Sequence, residues 1–139
     1  MIVTAENLKT TLFLDIETAP EYKSYNELPD IFKKLWKRKA ISLDKSIDKS
    51  NDEAIGKSYD GRAGIYSEFS KIICISIGFI TSDGTLRIKS FSDEKEKDLL
   101  ENFSKLLKTH YPGSQGYFLC GHNIKEFDIP FLCRRMLIN

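Results

Sequence analysis

The chain has 139 residues, of which 41% are hydrophobic and 29% charged, the size and composition of one folded soluble domain and neither a disordered nor a fibrous segment. Its 21 Lys and Arg nearly cancel its 20 Asp and Glu, so no global field announces a polyanionic or membrane partner and any such site must be local. The longest apolar run, residues 72–80, falls far short of the roughly 20 residues a membrane helix needs, and the first residues lack a signal peptide's basic start and apolar stretch. The expectation is a cytoplasmic protein with no membrane partner.

Residues 11–16, Thr-Leu-Phe-Leu-Asp-Ile, read as a first β-strand, ended by Thr18-Ala19-Pro20 because proline cannot continue a sheet interior. From 21 to 71 the pattern loosens into an insertion, with one helix over residues 30–40 and a polar surface stretch over 42–64. Residues 33–39 place five basic side chains around Trp36. They suit phosphate contacts and base stacking, although a solvated helix face with a buried Trp explains them better. Residues 72–80 are β-branched and nearly continuously apolar, as a strand buried on both faces should be. Ser82-Asp83-Gly84 then turns the chain into residues 86–91, forming a hairpin.

Asp93 and Glu96 have the spacing of a capping box, and Leu99, Leu100, Phe103, Leu106 and Leu107 form one apolar helical stripe that ends near His110, before Pro112-Gly113. Residues 116–120 read as a short strand, Gly121-His122-Asn123 as a turn, and 129–138 as a helix that tolerates Pro130 in its first turn. Gly116 and Gly121 have P-loop spacing, but His122-Asn123 replaces the required Lys-Ser/Thr. Cys74, Cys120 and Cys133 are odd in number and lie in apolar segments, which predicts reduced core residues; Cys120, His122 and Cys133 fit no common zinc spacing. The order β, insertion, β, β, α, β, α is an α/β arrangement. It stops at Asn139 on a helix, so the C-terminal part of the domain is expected to be missing.

Strand alternation puts Asp15 and Glu17 on one face, roughly 7 Å apart, with Leu12, Leu14 and Ile16 on the other. Paired acids in an apolar strand repel and lose hydration, and no Lys or Arg lies between residues 10 and 20, so a divalent metal is the economical counter-ion, Mg²⁺ or Mn²⁺ for oxygen ligands. The plainer alternative leaves both acids in water at the strand end. Asp128, at a helix start, and Asn123, in a turn, have equally plain alternatives as an N-cap and a turn former.

Taken together, residues 12–18 (Leu-Phe-Leu-Asp-Ile-Glu-Thr) and 123–128 (Asn-Ile-Lys-Glu-Phe-Asp) resemble the first and second exonuclease motifs of the 3'-5' exonucleases of the DEDD (DnaQ-like) superfamily, in particular those related to the proofreading domain of family B DNA polymerases. Residues 63–75 also look like that family's lead into its second strand. The resemblance implies an RNase H-like mixed sheet flanked by helices, a single exonuclease domain over 1–139 with the insertion at 21–71, and two-metal phosphodiester hydrolysis at a 3' end, with single-stranded DNA favoured over RNA as partner. It implies Asp15, Glu17 and Asp128 as catalytic metal ligands for two Mg²⁺ or Mn²⁺ ions, and Asn123, Phe127 and Thr18 as nucleic-acid contacts; an aromatic such as Phe127 beside a helix start is more often core packing.

The family's third motif, an Asp shortly after a Tyr or His, has no counterpart in residues 129–139, which contain no acid. A fragment is therefore expected, inactive or prone to self-association through Phe131, Leu132, Met136 and Leu137. Two rivals remain. One is a catalytically silent RNase H-like module that binds nucleic acid or protein. The other is a haloacid dehalogenase-like phosphatase, whose Asp-x-Asp-x-Thr is one substitution from Asp15-Ile16-Glu17-Thr18 but which leaves residues 123–128 unexplained.

Overall fold

A computed structural model describes residues 4–111 and 116–139; Pro112-Gly113, expected just after a helix end near His110, lies outside them. The chain divides into two compact units, one of Met1–Glu17 with Ile72–Asn139, the other Thr18–Lys71. The first unit is built on a four-stranded mixed sheet whose strands β1 (Thr11–Pro20), β2 (Ser70–Ile80), β3 (Leu86–Phe91) and β4 (Phe118–Cys120) lie in the order β3-β2-β1-β4.

Helix α1 (Ala5–Lys9), capped by Thr4, leads into β1 (Thr11–Pro20). The alternation reads as expected: Leu12, Leu14 and Ile16 are buried and Asp15 and Glu17 exposed. The strand does not stop before Pro20. Proline sits at its last position, where its missing N–H costs no central ladder bond, and the Glu21 amide resumes pairing by donating to the Phe69 carbonyl at 2.9 Å. β2 (Ser70–Ile80) and β3 (Leu86–Phe91) form the expected antiparallel hairpin, Ile75 opposite Phe91 and Ile80 opposite Leu86. Gly84 adopts φ +86° in the connecting turn. β2 is not buried on both faces, since Ile72, Ile75 and Ile77 are covered while Ile73 is 43% exposed.

The covering layer is α4 (Glu96–His110) and α5 (Asp128–Ile138), whose Leu99, Leu100, Phe103, Phe131 and Leu132 pack with Leu12, Leu14, Ile16 and the β2 isoleucines. Each such side chain contributes on the order of 1.5–3 kcal/mol by leaving water. Phe131 and Leu132 are thus core, not the uncovered surface expected of them, while Leu137 is 87% exposed. Cys74 is half-buried and Cys120 and Cys133 are exposed, all three free; the last two lie on the outer sides of a short strand and a helix and are not core residues.

The capping box at Asp93 and Glu96 does not form. Asp93 instead accepts from the Lys95 amide, and Glu96, the first residue of α4, is buried. Its carboxylate accepts from the Ile72 amide at 2.7 Å, from Arg135 Nε at 2.9 Å and from Asn139 Nδ2 at 2.9 Å, and it pairs with Arg135 Nη2. Glu96 therefore fastens β2, α4 and α5 together from the interior.

In the second unit the polar stretch expected as surface loop contains α3 (Asp52–Arg62), packed on α2 (Asp30–Leu43). Trp36 explains why. It is fully buried, with its ring 5.1 Å from Tyr59 and 4.9 Å from Phe69, and its indole N–H donates to the Ile55 carbonyl and to Ser58 Oγ. The basic residues around it face outward: Lys37 pairs with Asp52, and Lys39 pairs with Glu68 at 2.5 Å while resting over the Tyr66 ring. Residues too polar in sequence to suggest a core build one because three well-spaced aromatics need a single cover.

Burial alone pushes the Glu96 carboxyl up, but the hydrogen bonds from Arg135, Ile72 and Asn139 and the Arg135 charge outweigh it and hold its pKa below the ordinary value of 4.5. A depressed folded-state value stabilises at pH above the unfolded value and is lost as pH falls through the folded one. In urea titrations the wild type should therefore lose more stability than Glu96→Gln between about pH 5 and pH 3. At neutral pH, Glu96→Ala should cost about 3–5 kcal/mol by stripping buried Arg135 of its carboxylate.

Candidate active site

The site is built where the sheet edge runs out of partner. β4 (Phe118–Cys120) pairs in parallel with the start of β1, Thr11 opposite Phe118 and Phe13 opposite Cys120, and then ends. Beyond it, backbone groups of β1 still need partners. Gly121 passes close by: a Cβ there would clash with the Leu14 carbonyl oxygen and stand 3.1 Å from Ile124 Cδ1, so only glycine fits. Asn123 then takes a left-handed conformation, φ +51°, and its carbonyl accepts from the Glu126 and Phe127 amides, each at 3.0 Å. The turn brings the chain back to β1. There Asp128 Oδ1 accepts the Ile16 amide at 3.2 Å, doing for that N–H what a longer β4 would have done.

Asp128 is not an N-cap. The cap position belongs to Phe127, which makes no side-chain cap bond, and Asp128, a residue only 3% exposed, turns one carboxylate oxygen to the strand. It lies in the first turn of α5, where the helix dipole favours its negative charge. Because Ile16 stands between Asp15 and Glu17, this bond holds the third acid against the same stretch of β1. Asp15 and Glu17 project from the face opposite Ile16, exposed, and neither makes an ion pair or side-chain hydrogen bond among the described residues. Asp15 closes one end of a shallow trough of about 420 Å³ floored by Phe13, Gly78, Ile88 and Cys120.

The donor set is all oxygen, acidic and without a neutralising base, which suits a hard divalent cation better than zinc. It is not closed into a cage: among the described residues no group of three or more His, Cys, Asp or Glu is gathered to hold an ion. The Asp128 oxygen turned to the Ile16 amide lies along the sheet edge, whereas Asp15 and Glu17 stand off its face.

The model of the DNA polymerase family B exonuclease domain matches residues 14–139, a stretch that contains all three acids and the turn between β4 and α5. The chain belongs to this family. A search of curated proteins and a search of solved structures each returned no match.

Within this exonuclease domain the other expected contacts are placed unequally. Asn123 is exposed in its turn. Phe127 is half-buried, packed against the core and 5.5 Å from Phe131, as an aromatic beside a helix start more often is. The Thr18 hydroxyl donates to the Gly64 carbonyl at 2.7 Å. Gly121 escaped the sequence reading as a positioning residue, its only signal being a glycine placed directly after a strand and two residues before Asn123.

Asp128→Asn keeps the acceptor for the Ile16 amide and should change stability by less than about 1 kcal/mol, whereas Asp128→Ala leaves that buried amide unpaired and should cost about 1–3 kcal/mol in chemical denaturation. Gly121→Ala should be at least as costly as Asp128→Ala, because the carbonyl it meets is backbone and cannot swing away.

Proposed function

We propose that this exonuclease domain has an RNase H-like fold and hydrolyses phosphodiester bonds at the 3' end of nucleic acid, single-stranded DNA in preference to RNA, with Asp15, Glu17 and Asp128 as the residues that hold Mg²⁺ or Mn²⁺. The observation supporting this reading is the delivery of the Asp128 carboxylate to the Ile16 amide between Asp15 and Glu17. Two carboxylates exposed on one strand face are open to an incoming cation, and a third acid is kept at that strand although it costs desolvation to bury. Divalent ions bound there supply Lewis acidity and lower the pKa of an attacking water.

The chain's own residues do the placing. Asp15 and Glu17 extend their carboxylates from a strand that is rigid because its other face is core. Asp128 is fixed by the Ile16 amide through one oxygen and keeps the other for a ligand. Contact with a terminal nucleotide falls to Asn123, exposed on the turn before α5, and to the part of the half-buried Phe127 that core packing leaves uncovered. Two divalent ions carry more positive charge than three carboxylates neutralise, and residues 129–139 hold no acid, so a fourth carboxylate for the site does not come from α5. The open arrangement of the three acids favours one second reading, a module that binds nucleic acid without cutting it.

Degradation of a 5'-labelled single-stranded oligonucleotide in Mn²⁺ or Mg²⁺ separates the two. The expected result is one-nucleotide shortening from the 3' end that Asp15→Asn reduces by about 10³-fold or more, as removal of several kcal/mol of charge stabilisation requires. The same substitution should leave Tm unchanged or raise it, since it relieves repulsion between Asp15 and Glu17. Binding without cleavage by the wild type in both metals would establish the silent module, and full activity in Asp15→Asn would remove Asp15 from the reaction.

A further inference from the structure

On the helical side of the sheet, away from the face that carries Asp15 and Glu17, two cavities of about 490 and 450 Å³ adjoin between β3 and the C-terminal half of α4, sharing Lys89 and His110 in their walls. Three separate elements deliver cations to them: Lys9 from α1, Lys89 from β3 and Lys105 from α4. Lys9 and His110 alone would be unremarked, each in the last turn of its helix, where positive charge complements the dipole. Lys89 and Lys105 have no such reason. The Lys9 ammonium donates to the Ser82 carbonyl at 3.0 Å and that of Lys89 lies 4.7 Å above the Phe91 ring; among the described residues none of the three lysines forms an ion pair with a carboxylate. No Asp or Glu lines either cavity, in a chain where acids are 20 of 139 residues. At the far end Tyr111 and Tyr117 stand edge to face, centroids 5.4 Å apart, with Tyr117 42% exposed.

A protein of net charge only +1 has here a local groove of positive charge ending in an aromatic pair whose Tyr117 is exposed. Lysines spaced along a groove neutralise successive phosphates, and an exposed ring takes the π-face of any base. We infer that this groove is a second binding site for single-stranded nucleic acid, one that anchors the strand apart from the carboxylates; the inference rests on nucleic acid being the substrate. β3 is an edge strand, so a strand held in the groove reaches the carboxylate face by passing round that edge, across about 10 Å or two strand spacings. An anchor of this kind keeps a flexible strand tethered while its end is processed.

The test is fluorescence anisotropy with labelled (dT)12 and with a twelve-unit abasic strand, in EDTA so that no cleavage occurs and the carboxylates hold no metal. Lys89→Gln/Lys105→Gln is compared with the wild type and with Lys45→Gln/Lys49→Gln, a pair of exposed lysines elsewhere on the chain. The groove variant should bind (dT)12 at least tenfold more weakly, and its log–log salt dependence should be shallower by about 1.4, the loss of two phosphate contacts to a single strand. The control should match the wild type in both. Tyr117→Ala should weaken (dT)12 about fivefold or more and leave the abasic strand unaffected. Equal affinity and slope in the groove variant and the control, with unchanged Tm, would overturn the proposal, as would equal binding of (dT)12 and the abasic strand, which marks a site for any polyanion. Asp15→Asn keeps the two readings apart: it should cut cleavage by about 10³-fold or more and leave binding in EDTA intact, so the groove and the carboxylate site are tested separately.

Discussion

The hydrogen bond between the Ile16 amide and Asp128 Oδ1 joins residues 112 positions apart, and the geometry of the site depends on it. β4 is only three residues long and leaves the edge of β1 open at the level where the two exposed acids begin. An open edge there must be met by water, by another strand or by a side chain. A carboxylate at the head of α5 meets it, and the same act carries a third negative charge to a strand that already holds two. Gly121 and Asn123 are the conditions of that arrival, one by letting the chain pass the Leu14 carbonyl and the other by taking the left-handed turn.

α5 is held at two points, and this gives the site its precision. Its buried residues are Asp128, Phe131, Leu132 and Arg135, a stripe at i, i+3, i+4 and i+7 whose two middle members are apolar and whose ends are charged. The charges point to different anchors, Asp128 to β1 and Arg135 to Glu96, which in turn accepts from the β2 amide of Ile72. The anchors are about 10 Å apart along the helix, so α5 can neither slide nor roll without breaking a buried polar contact. Stability is a poor explanation of such pairs, because apolar residues of the same shape serve as well or better. What they specify is register, and register sets where Asp128 ends up.

The second unit follows a different rule. Residues Thr18–Lys71 bury Trp36, Tyr59 and Phe69 together in a core of their own, although α3 shows little amphipathic pattern. A few large aromatics at the right separations cover as much area as a regular stripe of aliphatic residues, and they do so without periodicity.

The strands, the hairpin and the apolar stripe of α4 were determined by the sequence alone, because period-two and period-3.6 patterns are local consequences of backbone geometry. Two short motifs in order on the expected elements also narrowed the family, in agreement with the family match over residues 14–139, and they single out the acids at 15, 17 and 128 as candidates. Tertiary structure decided what each polar group does. Asp128 reads locally as an N-cap and Glu96 as half of a capping box, yet both are drawn inward by partners far along the chain, the Ile16 amide and Arg135, that no local pattern reveals. It decided equally that Phe131 and Leu132 are core, that Cys120 and Cys133 are not, and that Lys9, Lys89 and Lys105 border one groove. Apolar burial follows a pattern that repeats within one element, whereas a buried charge needs one particular partner, and only the folded chain brings that partner into reach.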